Sequence, residues 1–202
     1  MVTMISVLLG GFFLHTPGFA YTDVNNNVDY FQAIAYITKL GITKGYSDDT
    51  FRPRHNINRA EFMKMAILAK FKGQFEAKPE DCFSDVKKDQ WFSGYICYAK
   101  NANIVAGYPD GSFKPDNFIN IAEASKMLVG IFEEQGSMSE GKYWYSSYIG
   151  FLAENAYLPP SIQYINQDVK RGEVAEMLWR MSEELHHQPS IQASILENAY
   201  CQ

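Results

Sequence analysis

No Cys-x-x-Cys pair occurs in this chain, and none of its three cysteines (Cys82, Cys97, Cys201) has a histidine at zinc-ligand spacing. Structural zinc needs four such donors, so no metal site is expected. Gly-x-Ser-x-Gly is missing too, and the four histidines (His15, His55, His186, His187) lie in no serine or cysteine nucleophile context. Those gaps leave an enzyme, or any cofactor, without residues to carry it. Positive charge is also scarce: 18 Lys and Arg against 23 Asp and Glu give a net charge of −5. A chain of that sign has no long-range attraction for nucleic acid or an anionic membrane. Beyond residue 20, no run approaches the ~18 consecutive apolar residues of a membrane span.

What the chain has in quantity is self-similarity. The segment GYSDDTFRPRHNINRAE (residues 45–61) returns, shifted by 62 positions, as GYPDGSFKPDNFINIAE (residues 107–123). A fixed period means one supersecondary unit was copied and must stack on its neighbours to bury an apolar face. Each copy starts as a turn, with Pro109 and Gly111 in one and the αL-tolerant Asp49 in the other. A helix then starts at Asn58 or Asn120, each followed at capping-box spacing by Glu61 or Glu123, whose carboxylate would reach back to the cap N–H. Asp48, Asp49 and Asp110 read as turn residues, because a calcium loop needs more oxygens at alternate positions and a distal bidentate acid.

In chain order, residues 1–20 form an apolar stretch without Lys or Arg, closed by Pro17 and the small residues Gly18 and Ala20. They read as a secretory signal peptide, so the protein is expected outside the cytoplasm. There Cys82 and Cys97 can form a disulfide, leaving Cys201 over. The first unit covers residues 21–72 and the second 81–133, with a linker at 72–80. Each unit has a first helix (Phe31, Ile34, Ala35, Thr38; Phe92, Tyr95, Ile96, Ala99) ending near Gly41 or Asn103. A second, mostly apolar helix follows. A shortened third unit covers 141–185, with Trp144 after Trp91 at a shift of 53 and Arg171-Gly172-Glu173 after Ile121-Ala122-Glu123 at a shift of 50. In this register Met65, Met127 and Met177 are equivalent and are expected near a common axis. Residues 186–202 are expected to be a peripheral tail.

These residues resemble the S-layer homology (SLH) family. The likeness rests on Tyr21-x-Asp23-Val24 and Phe83-x-Asp85-Val86, an early Trp, the Gly-Tyr-x-Asp-Gly-x-Phe-x-Pro turn and the Arg-Ala-Glu helix start. It implies an all-α fold of three helix–loop–helix repeats in a pseudo-threefold, three-pronged arrangement around a central helical bundle. It further implies an exported module anchored to anionic cell-wall polysaccharide, pyruvylated sugars among its ligands, in grooves between repeats. The family's motif arginine falls on Arg59 and Arg171, while Ile121 replaces it in the second unit and Asp29 replaces the early Trp in the first.

On that reading Arg59 and Arg171 meet the glycan at helix N-termini whose free N–H groups also favour an anion. Trp91, Trp144, Tyr46 and Tyr108 offer flat faces to sugar rings. At most two grooves are expected to be competent, with the middle unit kept for architecture. The rival reading is an envelope scaffold that binds protein or itself, its glycan sites decayed.

Overall fold

The computed structural model describes residues 21–133 and 141–199; the stretch 1–20 read as a signal peptide and Cys201 lie outside the described residues. Among those residues the protein is all-α. Helices α1 (Phe31–Lys39), α3 (Ser93–Asn101) and α5 (Ser146–Glu154) alternate with the longer α2 (Arg59–Lys70), α4 (Ile121–Phe132) and α6 (Arg171–Ser182), and α7 (Ala193–Ala199) follows.

The shorter helices end alike. Gly41, Asn103 and Ala156 all take positive φ. The following amide then reaches back five residues: Ile42 to the Ile37 carbonyl, Ile104 to Ala99 and Tyr157 to Leu152. This is the hydrogen-bond pattern of a helix closed by a left-handed residue. The longer helices begin as their sequence predicts, the Asn58 and Asn120 side chains accepting from the Glu61 and Glu123 amides at 2.8 and 3.0 Å. The reciprocal arm is found only at α6, where Lys170 offers no acceptor and Glu173 accepts from its amide at 2.8 Å. Glu61 and Glu123 instead turn toward Tyr46 and Tyr108.

Ahead of each turn sits an aspartate that clamps it. Asp23 accepts from the Phe51 and Arg52 amides, both at 2.7 Å, and Asp85 accepts from those of Phe113 and Lys114, both at 2.8 Å. Within the turns, Asp48 and Asp110 accept from the amide and hydroxyl of Thr50 and Ser112. Those bonds give these aspartates a local role as turn-formers.

The segments before α2, α4 and α6 close a ring. Ile57 donates to the Val169 carbonyl at 3.0 Å, Val169 to Ile119 at 2.9 Å, and Ile119 back to Ile57 at 3.2 Å. All three side chains are buried. Helix α2 packs on both α4 and α6, while α1 packs on α6, α3 on α2 and α5 on α4. Each short helix thus rests on the long helix of the preceding segment, in cyclic order, so the packed unit is not a self-contained hairpin. Met65 lines one surface groove and Met127 another, while the backbone ring of Ile57, Ile119 and Val169 joins the three segments.

Cys82 and Cys97 form a disulfide that ties the segment before α3 to the helix itself. The chain after α6 is more firmly held than a peripheral tail. Buried Arg180 donates to the Pro189 carbonyl at 2.9 Å, Ser190 donates to Leu158 at 2.8 Å, and Leu196 of α7 is fully buried, with α7 packed on α5. The sequence signal for this docking is weak because it resides in two backbone carbonyls and one leucine.

Candidate functional site

Two grooves of the same composition lie on the surface. In the first, the turn residue Tyr46, Glu61 and Lys64 of α2, and Trp91 at the start of the α3 region surround Arg171 of α6. In the second, Tyr108, Glu123 and Lys126 of α4 and Trp144 surround Arg59 of α2. The Tyr, Glu and Lys pairs are related by the 62-residue period and the Trp pair by the 53-residue shift, and each arginine comes from the segment before the one that supplies the turn.

The arginines form the back wall. Arg59 is 4% and Arg171 6% exposed. Arg59 Nε donates to the Phe113 carbonyl at 2.9 Å and its Nη1 lies 3.3 Å from Glu123, with the guanidinium between the Tyr108 and Phe113 rings. Arg171 Nη2 donates to Thr43 at 2.8 Å, its Nη1 lies 3.9 Å from Glu61, and Tyr46 and Phe51 flank it. Tyr46 and Tyr108 donate to those same glutamates at 3.1 and 2.7 Å. The Tyr108 hydroxyl is pushed up to about 12 by burial and by this bond. Arg59 Nη1 and Arg171 Nε are buried without a hydrogen-bond partner, which leaves one donor of each guanidinium without an acceptor.

The outer components are a tryptophan and a lysine, Lys126 exposed and Lys64 half-buried. Trp91 and Trp144 are 55% and 57% exposed. The Lys64 ammonium lies 5.3 Å from the centroid of the Trp91 ring, and Lys126 lies 5.8 Å from that of Trp144. Burial, then the nearby Arg171 and Lys44 charges, holds Lys64 below the usual lysine range. A cation next to other cations gains from an arriving anion. An exposed indole face beside an ammonium suits a ring that is apolar on one face and anionic at its edge.

Several expectations change. The helix N-termini are not free for an anion: the Arg59 and Ala60 amides donate to Asn117 and Pro115, and those of Arg171 and Gly172 to His55 and Pro53. The arginines are nearly buried, so Lys64 and Lys126, with the exposed Lys44 in the first groove, are the more accessible cations. The sequence signal for Lys64 and Lys126 was available, because a lysine recurs at the 62-residue period inside two largely apolar helices. The middle segment is also no mere architecture, since Tyr108 and Lys126 build the Arg59 groove. It is the third position that departs: Ile121 is fully buried and Glu176, paired with Arg180 at 2.8 Å, stands where the lysines stand. That position keeps a smaller cavity of about 200 Å³ lined by Asp29, Tyr30, Lys170 and Glu173, with the Tyr30 hydroxyl donating to Ser161 at 2.6 Å.

The S-layer homology domain profile matches residues 20–63 and 83–125, the segments that carry the two turns and the starts of α2 and α4. The chain carries S-layer homology domains. Among curated relatives, it is 30% identical over 154 residues to the middle cell wall protein of Brevibacillus brevis, covering 75% of this chain and 14% of that protein. It is 30% identical over 158 residues to the cellulosome-anchoring protein of Acetivibrio thermocellus, covering 69% of this chain and 35% of that one. Identity to the surface layer protein of Brevibacillus choshinensis is 34% over 100 residues, 48% of this chain and 9% of that protein. The chain thus spans no more than about a third of these relatives. S-layer homology domains shared with surface-layer and anchoring proteins support a cell-surface anchoring module and carry a cell-envelope location. No helix among the described residues is long and apolar enough to cross a membrane.

Proposed function

We propose that the chain is a non-enzymatic anchoring module that binds anionic cell-wall polysaccharide in the Arg171 and Arg59 grooves. The observation that carries this reading is the duplicated arrangement of an exposed Trp and a Lys in front of a buried Arg held by a half-buried Glu–Tyr pair. An acidic sugar would set its apolar face on Trp91 or Trp144 and its carboxylate on Lys64 or Lys126, with the arginine charge behind. Two weak grooves on one body give retention through avidity, because the second contact is intramolecular. We further infer that α5 and α6 form a third, divergent copy around a pseudo-threefold axis, which the ring of Ile57, Ile119 and Val169 supports.

The test is co-sedimentation with purified wall polysaccharide. Lys64→Ala with Lys126→Ala should lower the bound fraction at least about tenfold while leaving the melting temperature near that of the parent, since neither ammonium holds the core together. Binding by the parent should also weaken as salt rises from about 0.05 to 0.5 M. Undiminished retention of the double variant would sink the reading.

A further inference from the structure

The two grooves share their centre but not their extent. The Arg171 groove encloses about 690 Å³ and the Arg59 groove about 250 Å³. Small-molecule pockets run ~300–1,000 Å³, so the first lies inside that range and the second just below it.

The added space runs from Trp91 past Tyr95 to Phe75, with Gly41 and Gly73 along its edge. Its wall is the segment between α2 and α3, which reads as a linker in sequence but is fixed at both ends. A Cβ on Gly73 would lie 2.0 Å from the Leu40 carbonyl oxygen, and one on Gly94 would lie 2.8 Å from Ala77 and 2.9 Å from the Lys78 amide nitrogen. Between these two close approaches, Phe75 is held by Phe71, Tyr98 and Tyr95 at 5.1, 4.9 and 5.7 Å between ring centroids. The Lys64 ammonium stands between Trp91 and Tyr95, at 5.3 and 5.9 Å. One cation is thus flanked by two aromatic faces, the second leading into the extension. At the 62-residue period Gly73 and Phe75 correspond in sequence to Gln135 and Ser137, and Tyr148, which matches Tyr95 at the 53-residue shift, is not among the residues that line the Arg59 groove. Lys44 in the Arg171 groove is matched by Ala106 in the other.

We propose that the Arg171 groove reads two consecutive sugars, the acidic one on Trp91 and Lys64 and its neighbour over Tyr95 and Phe75, whereas the Arg59 groove reads the acidic sugar alone. This rests on the anchoring reading above. Because the wall is already in place, the second ring displaces water from preformed aromatic surface without ordering a loop, and the gain appears as affinity. The module then grips its polymer at two unlike points, one taking a chain segment and one a single residue.

The test uses two full-length proteins, one with Lys126→Ala and Trp144→Ala, leaving the Arg171 groove, and one with Lys64→Ala and Trp91→Ala, leaving the other. Each is titrated calorimetrically with the methyl glycoside of a 4,6-pyruvylated N-acetylhexosamine and with a disaccharide carrying that unit at its non-reducing end. The first protein should bind the disaccharide about tenfold more tightly than the monosaccharide, and the second should show less than about a twofold difference. Adding Tyr95→Ala to the first should erase the gain and keep the monosaccharide affinity, while Tyr95→Phe should keep both. Equal affinities at the Arg171 groove, or a gain that survives Tyr95→Ala, overturns the inference and leaves the anchoring reading standing. Failure of both proteins to bind either probe overturns the two together.

Discussion

At the scale of single residues, Arg59 and Arg171 hold the fold before they can serve any ligand. Arg59 loses a charged hydrogen bond to the Phe113 carbonyl if truncated, and Glu123, 3.3 Å from its Nη1, loses its cation. A hydrogen bond to a charged group is worth ~1.5–3 kcal/mol. Arg59→Ala should therefore lower the free energy of unfolding by about 2 kcal/mol, with Arg171→Ala costing less because its pair with Glu61 is longer, at 3.9 Å. Urea titration of both variants checks the order, and an unchanged midpoint for Arg59→Ala would remove the structural role assigned to it. The same reasoning makes the lysines the better probes of binding. Lys126 is exposed and Lys64 half-buried, and the caps, clamps and backbone ring described above run through neither ammonium.

At the scale of elements, the leading segments and turns matter more than helix propensity. The Cys82–Cys97 disulfide closes a loop of 15 residues between the second leading segment and α3. Chain entropy assigns about 3 kcal/mol to a loop of that size. Cys97→Ala should thus melt well below the parent and be indifferent to reductant, while the parent drops toward it when reduced; thermal scans with and without reductant measure both. The asparagine caps, the turns and the helix ends were legible in sequence because they are local, as Asn58 and Gly41 show, whereas the Glu61 carboxylate, expected to reach back to the cap, is drawn away by Tyr46. What the sequence could not show was which neighbour each helix meets. A period of 62 makes Arg59 and Arg171 equivalent but does not say that each faces the turn of the following segment, so the missing arginine at Ile121 was assigned to the wrong groove. Phe75 was hidden for a related reason: its role depends on where Gly73 and Gly94 let the linker pass, a tertiary fact with no local signature.

At the scale of the whole molecule, cyclic packing makes the segments depend on one another. The buried face of α1, Ala33, Ile34 and Ile37, rests on α6, more than 130 residues later in the chain. The backbone ring needs Val169 to receive from Ile57 and to donate to Ile119. A fragment of residues 21–133 keeps both matched domain segments but removes α6 and one member of that ring, uncovering apolar surface that neither remaining segment can bury. It should retain some helical circular dichroism yet show no cooperative thermal transition. Residues 21–202 should unfold in one transition whose calorimetric and van't Hoff enthalpies agree. A fragment that melted as sharply as the full chain would mean that each segment closes on its own. The interdigitation of α1 with α6, α3 with α2 and α5 with α4 would then be packing between finished units, and grooves built across segments would no longer require the intact ring.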